Sequence, residues 1–261
     1  MLAALPDWTR PWLQPYAARG AALACAVRDG QPLPDALNAL GALAGAGLPR
    51  FVPQQALPPG QGYEAFVHAQ GQCPVRENLH DLLNGLVWLH FPRTKARLNA
   101  LHAAEIARLG AGPRRGPLRD ALTLFDENGA LLLAPQGMWD ALRARDWRGL
   151  FVTRRGQWRQ ARLLVFGHGL LEQLQTPRKP ITAHVAVAPF ALESIADIDR
   201  WLAASIDPLC WQHKPFAPLP VLGVPGWCAG NVDESFYDDP LVFRRSRRSD
   251  VPEQRTLAGA A

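Results

Sequence analysis

The chain has 261 residues, 48% of them hydrophobic and 20% charged, a balance that excludes a disordered tract and supplies apolar surface for a sizeable core. Its formal net charge of +5 looks like a nucleic-acid signature, yet residues 244–261 hold five Arg against Asp250 and Glu253, a net of +3 that leaves +2 on the body. No apolar run is long enough to span a bilayer, and the first residues lack a basic stretch followed by a continuous apolar one, so membrane insertion is not expected.

Residues 1–48 are rich in Ala and Leu and punctuated by Pro6, Pro11, Pro15, Pro32 and Pro34. They read as an N-terminal segment of short helices, such as 34–46, packed on a main domain at 49–243. Trp8, Trp12 and Tyr16 read as core anchors. The next stretch, to Gly71, is Pro- and Gln-rich loop with a short helix at 63–69 and His68 on the surface.

Residues 76–95, R-E-N-L-H-D-L-L-N-G-L-V-W-L-H-F-P-R-T-K, form the most informative segment. At helical spacing, Leu79, Leu82, Leu83, Leu86, Val87 and Leu89 share one arc, while Glu77, His80, Asp81, Asn84 and Trp88 share the other. A solvated helix face is usually written in Lys, Arg and Glu. This one carries an imidazole, carboxylates, a carboxamide and an indole, which suits a cleft. It also suits a half-buried helix whose polar groups tie it to neighbouring loops. Asn78 is placed to cap the helix, with Asp81 as its reciprocal partner, and Phe91-Pro92 ends it before a second helix over 93–108.

After a Gly, Pro and Arg linker at 110–117, Ala121–Phe125 and Ala130–Leu133 flank Asp126-Glu-Asn-Gly129. Two apolar runs around a turn ending in Asn-Gly predict a β-hairpin, which gives Asp126 and Glu127 a turn role. A short helix follows at 138–145. Residues 143–162 contain seven Arg and one acid, Asp146, a segment suited to an anion. The apolar stretch 158–174 reads as a longer buried helix. Within it, Gly167-His-Gly169 suggests close approach by another backbone or a bound group. Glu172 lies one turn beyond His168, so the pair reads as an ion pair, an oriented general base, or half of a metal site.

Residues 181–187 alternate as a strand with His184 on its own face, and 193–205 form an amphipathic helix. Residues 215–227 are extended and end in Val224-Pro-Gly-Trp227, where Pro-Gly suits a type II turn. Phe236–Asp239 closes the ordered part, and the basic tail at 244–261 is expected to be mobile. Cys25, Cys73, Cys210 and Cys228 are scattered, with no C-x-x-C pair, which fits a reducing compartment and a cytoplasmic location. The fold expected is α+β: a predominantly helical single domain with a small antiparallel β-hairpin or sheet.

N-L-H-D-L-L-N-G-L-V-W-L-H-F-P-R-T-K, R-D-A-L-T-L-F-D-E-N-G, F-G-H-G-L-L-E, G-V-P-G-W and F-Y-D-D, in that order, resemble the bacterial domain of unknown function family 3025 over roughly 49–244. The resemblance implies a soluble bacterial protein whose motif segments belong to one domain. It supplies no activity. Nucleotide-loop, zincin and α/β-hydrolase signatures are absent from the sequence.

Two functions fit these residues. In an enzyme, His80, Asp81, Asn84, His168 and Glu172 converge in one cleft as catalytic groups, with Arg76, Lys95 or Arg119 holding an anionic small molecule for hydrolysis or group transfer. In a non-enzymatic binding or scaffolding protein, the Arg-rich segments dock an acidic partner or nucleic acid. No cofactor, metal-ligand set or oligomeric state is assigned.

Overall fold

A computed structural model describes residues 5–42, 47–110 and 116–245. It is α+β and helix-dominated, with one two-stranded and one four-stranded sheet. After a 3₁₀ turn at Pro11–Tyr16, helices α1 (Ala17–Arg28) and α2 (Leu33–Ala42) pack toward the centre. Tyr16 Oη donates to the Val165 carbonyl at 2.6 Å, and Trp12, Leu13, Leu23 and Leu37 join the same core as the rest of the chain. Strand β1 (Arg50–Pro53) pairs in parallel with β2 (Gln72–Val75), with α3 (Tyr63–Gln70) between them. Residues 246–261 of the expected mobile tail, the end of the expected helix at 34–46 and most of the linker at 110–117 lie outside the described residues.

Helix α4 (Leu79–His90) starts where Asn78 Oδ1 accepts the Asp81 amide at 2.8 Å. Phe91 breaks it and α5 (Pro92–Leu109) continues, its first amides bonded to Asp199 of α9 (Ile195–Ser205) at 2.8 and 3.1 Å. A carboxylate from a distant helix thus does for α5 what a local N-cap residue would do. Asp81 is not the reciprocal cap of Asn78. Its carboxylate accepts the Arg76 amide at 2.6 Å and the Arg76 guanidinium at 2.9 and 3.1 Å, a charged fork that outcompetes a neutral amide.

The expected β-hairpin does not form. Residues 117–128 are helix α6 (Pro117–Asn128), which runs directly into strand β3 (Gly129–Leu133). Pro117 opens the helix, and Leu118, Ala121, Leu122 and Phe125 recur at helical spacing and are all buried. After α7 (Gln136–Arg143), the expected long helix at 158–174 resolves into a 3₁₀ turn, strand β4 (Arg162–Val165) and the short α8 (His168–Gln173). A strand facing core, next to a buried helix, reads as apolar all round, which is why one helix was expected.

The larger sheet has the order β4-β3-β5-β6, with β5 (Thr182–Ala188) parallel to β3, and with β4 and β6 (Ala217–Pro220) antiparallel to their neighbours. Its central strand β3 is buried along its whole length. The turn at Val224–Trp227 forms as expected, with Gly226 at φ +85° and the Trp227 amide bonded to Val224 O at 3.0 Å. Among the described residues no helix is long and apolar enough to cross a membrane.

Candidate active site

Helices α3, α4, α5 and α6 and the start of α8 line a cavity of about 230 Å³. Helix α4 turns its apolar arc to the core and its other face, His80, Asp81, Asn84 and Trp88, to the cavity. The next helix, α5, adds Lys95, Leu98, Asn99 and His102, spaced at i, i+3, i+4 and i+7. Asp126 and Glu127 come from the last turn of α6, and His168 from the first residue of α8.

Glycines make this meeting of α6 and α8 achievable. A Cβ on Gly167 would fall 2.6 Å from the Asn128 amide nitrogen and against the Glu127 carbonyl; one on Gly169 would strike the Glu127 carboxylate. The close approach expected of Gly167-His-Gly169 is therefore real, and the neighbour is the C-terminal end of α6.

At the centre, His80 Nε2 and His168 Nε2 stand 3.1 Å apart, their rings nearly perpendicular at 73°. Glu127 Oε1 is 3.5 Å from His168 Nε2. Behind His80, Glu172 accepts from Nδ1 at 2.7 Å, so the carboxylate one turn from His168 orients the other imidazole instead. Asp126 Oδ2 lies 3.9 Å from His168 Nδ1, a buried nitrogen with no hydrogen-bond partner. His80, Glu127 and His168 each offer a ligand atom, all within 4.8 Å of one another, and could hold a metal ion.

Deeper in, Lys95 Nζ donates to Asp126 Oδ1 at 2.6 Å and Asn84 Oδ1 at 2.8 Å, and sits 5.6 Å from the Trp88 ring. The Asn84 amide reaches Tyr63 Oη at 3.4 Å, itself 3.0 Å from Cys73 Sγ. Burial alone would push the Asp126 carboxyl up, but the Lys95 ammonium and the His168 ring hold it below the usual carboxylate range. Glu127 is lowered chiefly by its hydrogen bond from His168, against burial. Burial raises the Tyr63 hydroxyl and pushes the Cys73 thiol to about 11, so both stay protonated at neutral pH.

Of the residues singled out in the sequence, Arg76, His80, Asp81, Asn84, Lys95 and His168 line this one cavity, and Glu172 joins through His80. Arg119 is buried on α6 and is not among the lining residues. Asp126 and Glu127, read as turn residues, are in the wall, as is His102. The helical spacing of Leu118, Ala121, Leu122 and Phe125 was the signal that would have put both carboxylates on a helix end.

Four arginines of the Arg-rich segment are engaged within the chain, although Arg143, Arg148, Arg159 and Arg162 are exposed. Arg148 pairs with Glu234 and Asp238, Arg155 donates to Asn231 O and Tyr237 Oη, Arg154 to Gly149 O, and Arg162 to Glu193 O and Leu192 O. Most of these contacts clamp later parts of the chain, which removes four of the seven guanidiniums from the case for an acidic partner.

A family model for a protein of unknown function, DUF3025, matches residues 49–247, which contain every residue of the cavity. The chain belongs to this family. No curated protein and no solved structure matches it. The family carries no assigned activity, so the chemistry of the DUF3025 cavity has to be argued from its own geometry.

Proposed function

We propose that the protein is an enzyme that activates water at the His80, His168 and Glu127 edge of the cavity and hydrolyses a small anionic molecule. The observation that carries this reading is the convergence of two imidazoles from separate helices, 3.1 Å apart in a cavity wall, each with a carboxylate on its far side. Imidazoles in a core normally end in local bonds. Here the two rings meet at hydrogen-bond distance in the wall of a cavity open to a ligand, an arrangement that suits water activation.

The other groups divide by position. Arg76, with 58% of its side chain exposed, stands ready at the mouth for an anionic substituent and is held in place by Asp81. Lys95 is buried and engaged by Asp126 and Asn84, so it fixes the wall more than it binds substrate. A cavity of about 230 Å³ is below the roughly 300–1,000 Å³ usual for drug-sized ligands, which favours a small substrate. Four free, scattered cysteines support a reducing bacterial cytoplasm as the setting.

The test is hydrolysis of p-nitrophenyl phosphate, bis(p-nitrophenyl) phosphate and p-nitrophenyl acetate by the parent and by His80→Gln and His168→Gln. Turnover by the parent, with kcat/KM lowered about 100-fold or more in both variants, is expected. Turnover that survives both substitutions, or none on any ester class, contradicts the proposal.

A further inference from the structure

We propose that His80 Nε2, His168 Nε2 and Glu127 Oε1 are the ligands of one divalent transition-metal ion, with zinc the best fit. This rests on the reading of the cavity as a hydrolytic site and names what activates its water. Two imidazoles and a carboxylate are a ligand set suited to zinc, and three protein ligands leave a coordination position for water on the cavity side. Two of the three separations, 3.1 and 3.5 Å, compare with ~3.3–3.5 Å between ligand atoms bound about 2.0–2.2 Å from a tetrahedral zinc, and the third lies within 4.8 Å.

Proton positions point the same way. His80 Nδ1 donates to Glu172, so a neutral His80 has a lone pair on Nε2. If His168 Nε2 supplies the proton between the rings, its Nδ1 lone pair is buried facing Asp126. If His80 carries both protons, its Nε2–H donates to the His168 Nε2 lone pair, and the Glu127 carboxylate 3.5 Å from that nitrogen meets no proton. If His168 carries both, a buried charge still finds Asp126 at 3.9 Å, beyond hydrogen-bond reach. A cation between the rings uses both Nε2 lone pairs and the Glu127 oxygen, and turns the His168 Nδ1 proton toward a carboxylate.

The surrounding charge also calls for a cation. Glu64, Asp81, Asp126 and Glu127 line the cavity and Glu172 stands behind His80, against Arg76 and Lys95. Asp126 and Glu127 lie at the C-terminal end of α6, where the helix dipole disfavours carboxylates and no basic residue occupies the last turn. An anionic substrate would be repelled from this interior until a metal ion offsets it. Glu172, 2.7 Å from His80 Nδ1, is an outer carboxylate of the kind that orients a metal-bound imidazole, and Asp126 stands 3.9 Å from His168 Nδ1 as a counter-charge.

The experiment is calorimetric titration of chelator-stripped full-length protein with Zn²⁺, with elemental analysis of the dialysed product and Co²⁺ as an absorbing probe. One zinc per chain is expected, with visible bands on Co²⁺ loading. Glu127→Gln and His80→Gln should bind at least about tenfold more weakly with unchanged circular dichroism. Glu172→Gln should lose roughly 10- to 100-fold in affinity at the same stoichiometry. No stoichiometric Zn²⁺ or Co²⁺ binding, or parent-like binding by Glu127→Gln, overturns the metal site. Zinc binding without ester hydrolysis would leave the site standing and remove the hydrolase reading; hydrolysis by metal-free protein would do the reverse.

Discussion

Lys95 shows how the cavity wall is kept rigid. Its ammonium is buried yet meets Asp126, Asn84 and the face of Trp88, so the cost of desolvation is offset by two charge-assisted contacts and a ring. Removing one partner strands the other. Lys95→Met should destabilise the fold by about 3 kcal/mol in urea unfolding, and Lys95→Met/Asp126→Asn by clearly less than the sum of the single changes. Additive costs would mean the pair is not coupled. His90 carries a separate prediction. Burial holds its imidazole down to about 4, against the hydrogen bond that Nδ1 makes to the Leu86 carbonyl at 2.8 Å. An unfolded chain has an ordinary histidine near 6.5, so between about pH 6.5 and 4 the unfolded state binds more protons. Stability is therefore complete above that window, falls with pH through it and levels off below. His90→Gln should remove a stability loss of about 3 kcal/mol accumulated across that window; an unchanged pH profile of unfolding would refute it.

At the scale of elements, α4 was legible because its cap, its two arcs and Phe91-Pro92 are all local signals. Its polar face pointed to a cleft for the same reason: residue types that solvate poorly on a helix surface were gathered on one side. The end of α6 was not legible, because Asp126-Glu-Asn-Gly before an apolar run mimics a hairpin turn, while the competing helical spacing of Leu118 to Phe125 is short. Misplacing that boundary hid Asp126 and Glu127. The glycines of α8 were read correctly as a close approach, and they separate two effects. Gly167→Ala would drive a Cβ into Glu127 and Asn128 backbone, which cannot move alone, so stability should fall by several kcal/mol. Gly169→Ala meets mainly the Glu127 carboxylate, which can swing away. It should change stability by less than about 1 kcal/mol and still weaken zinc binding at least tenfold. Equal stability losses, or unimpaired zinc binding by Gly169→Ala, would contradict this packing.

Across the whole molecule, the site depends on pairings that no local pattern encodes. His80 and Glu172 are 92 residues apart, and their partnership exists only because α4 packs on α8 while α6 crosses the start of α8. The sequence offered Glu172 to His168, its helical neighbour, and tertiary structure gave it to His80. Asp199 capping α5 from α9 and the Arg148 and Arg155 contacts to the C-terminal segment are of the same long-range kind. What the sequence did yield was the helix-dominated α+β class and six of the seventeen residues that line the cavity.

The most direct test of that convergence is zinc K-edge X-ray absorption on the reconstituted protein. Helices α4, α6 and α8 meeting as described predict a first shell of nitrogen and oxygen about 2.0–2.2 Å from the metal, with scattering from two imidazoles that drops to one in His80→Gln. A sulfur shell near 2.3 Å, or a spectrum unchanged by His80→Gln, would show that the metal lies elsewhere and that the two imidazoles do not form its site.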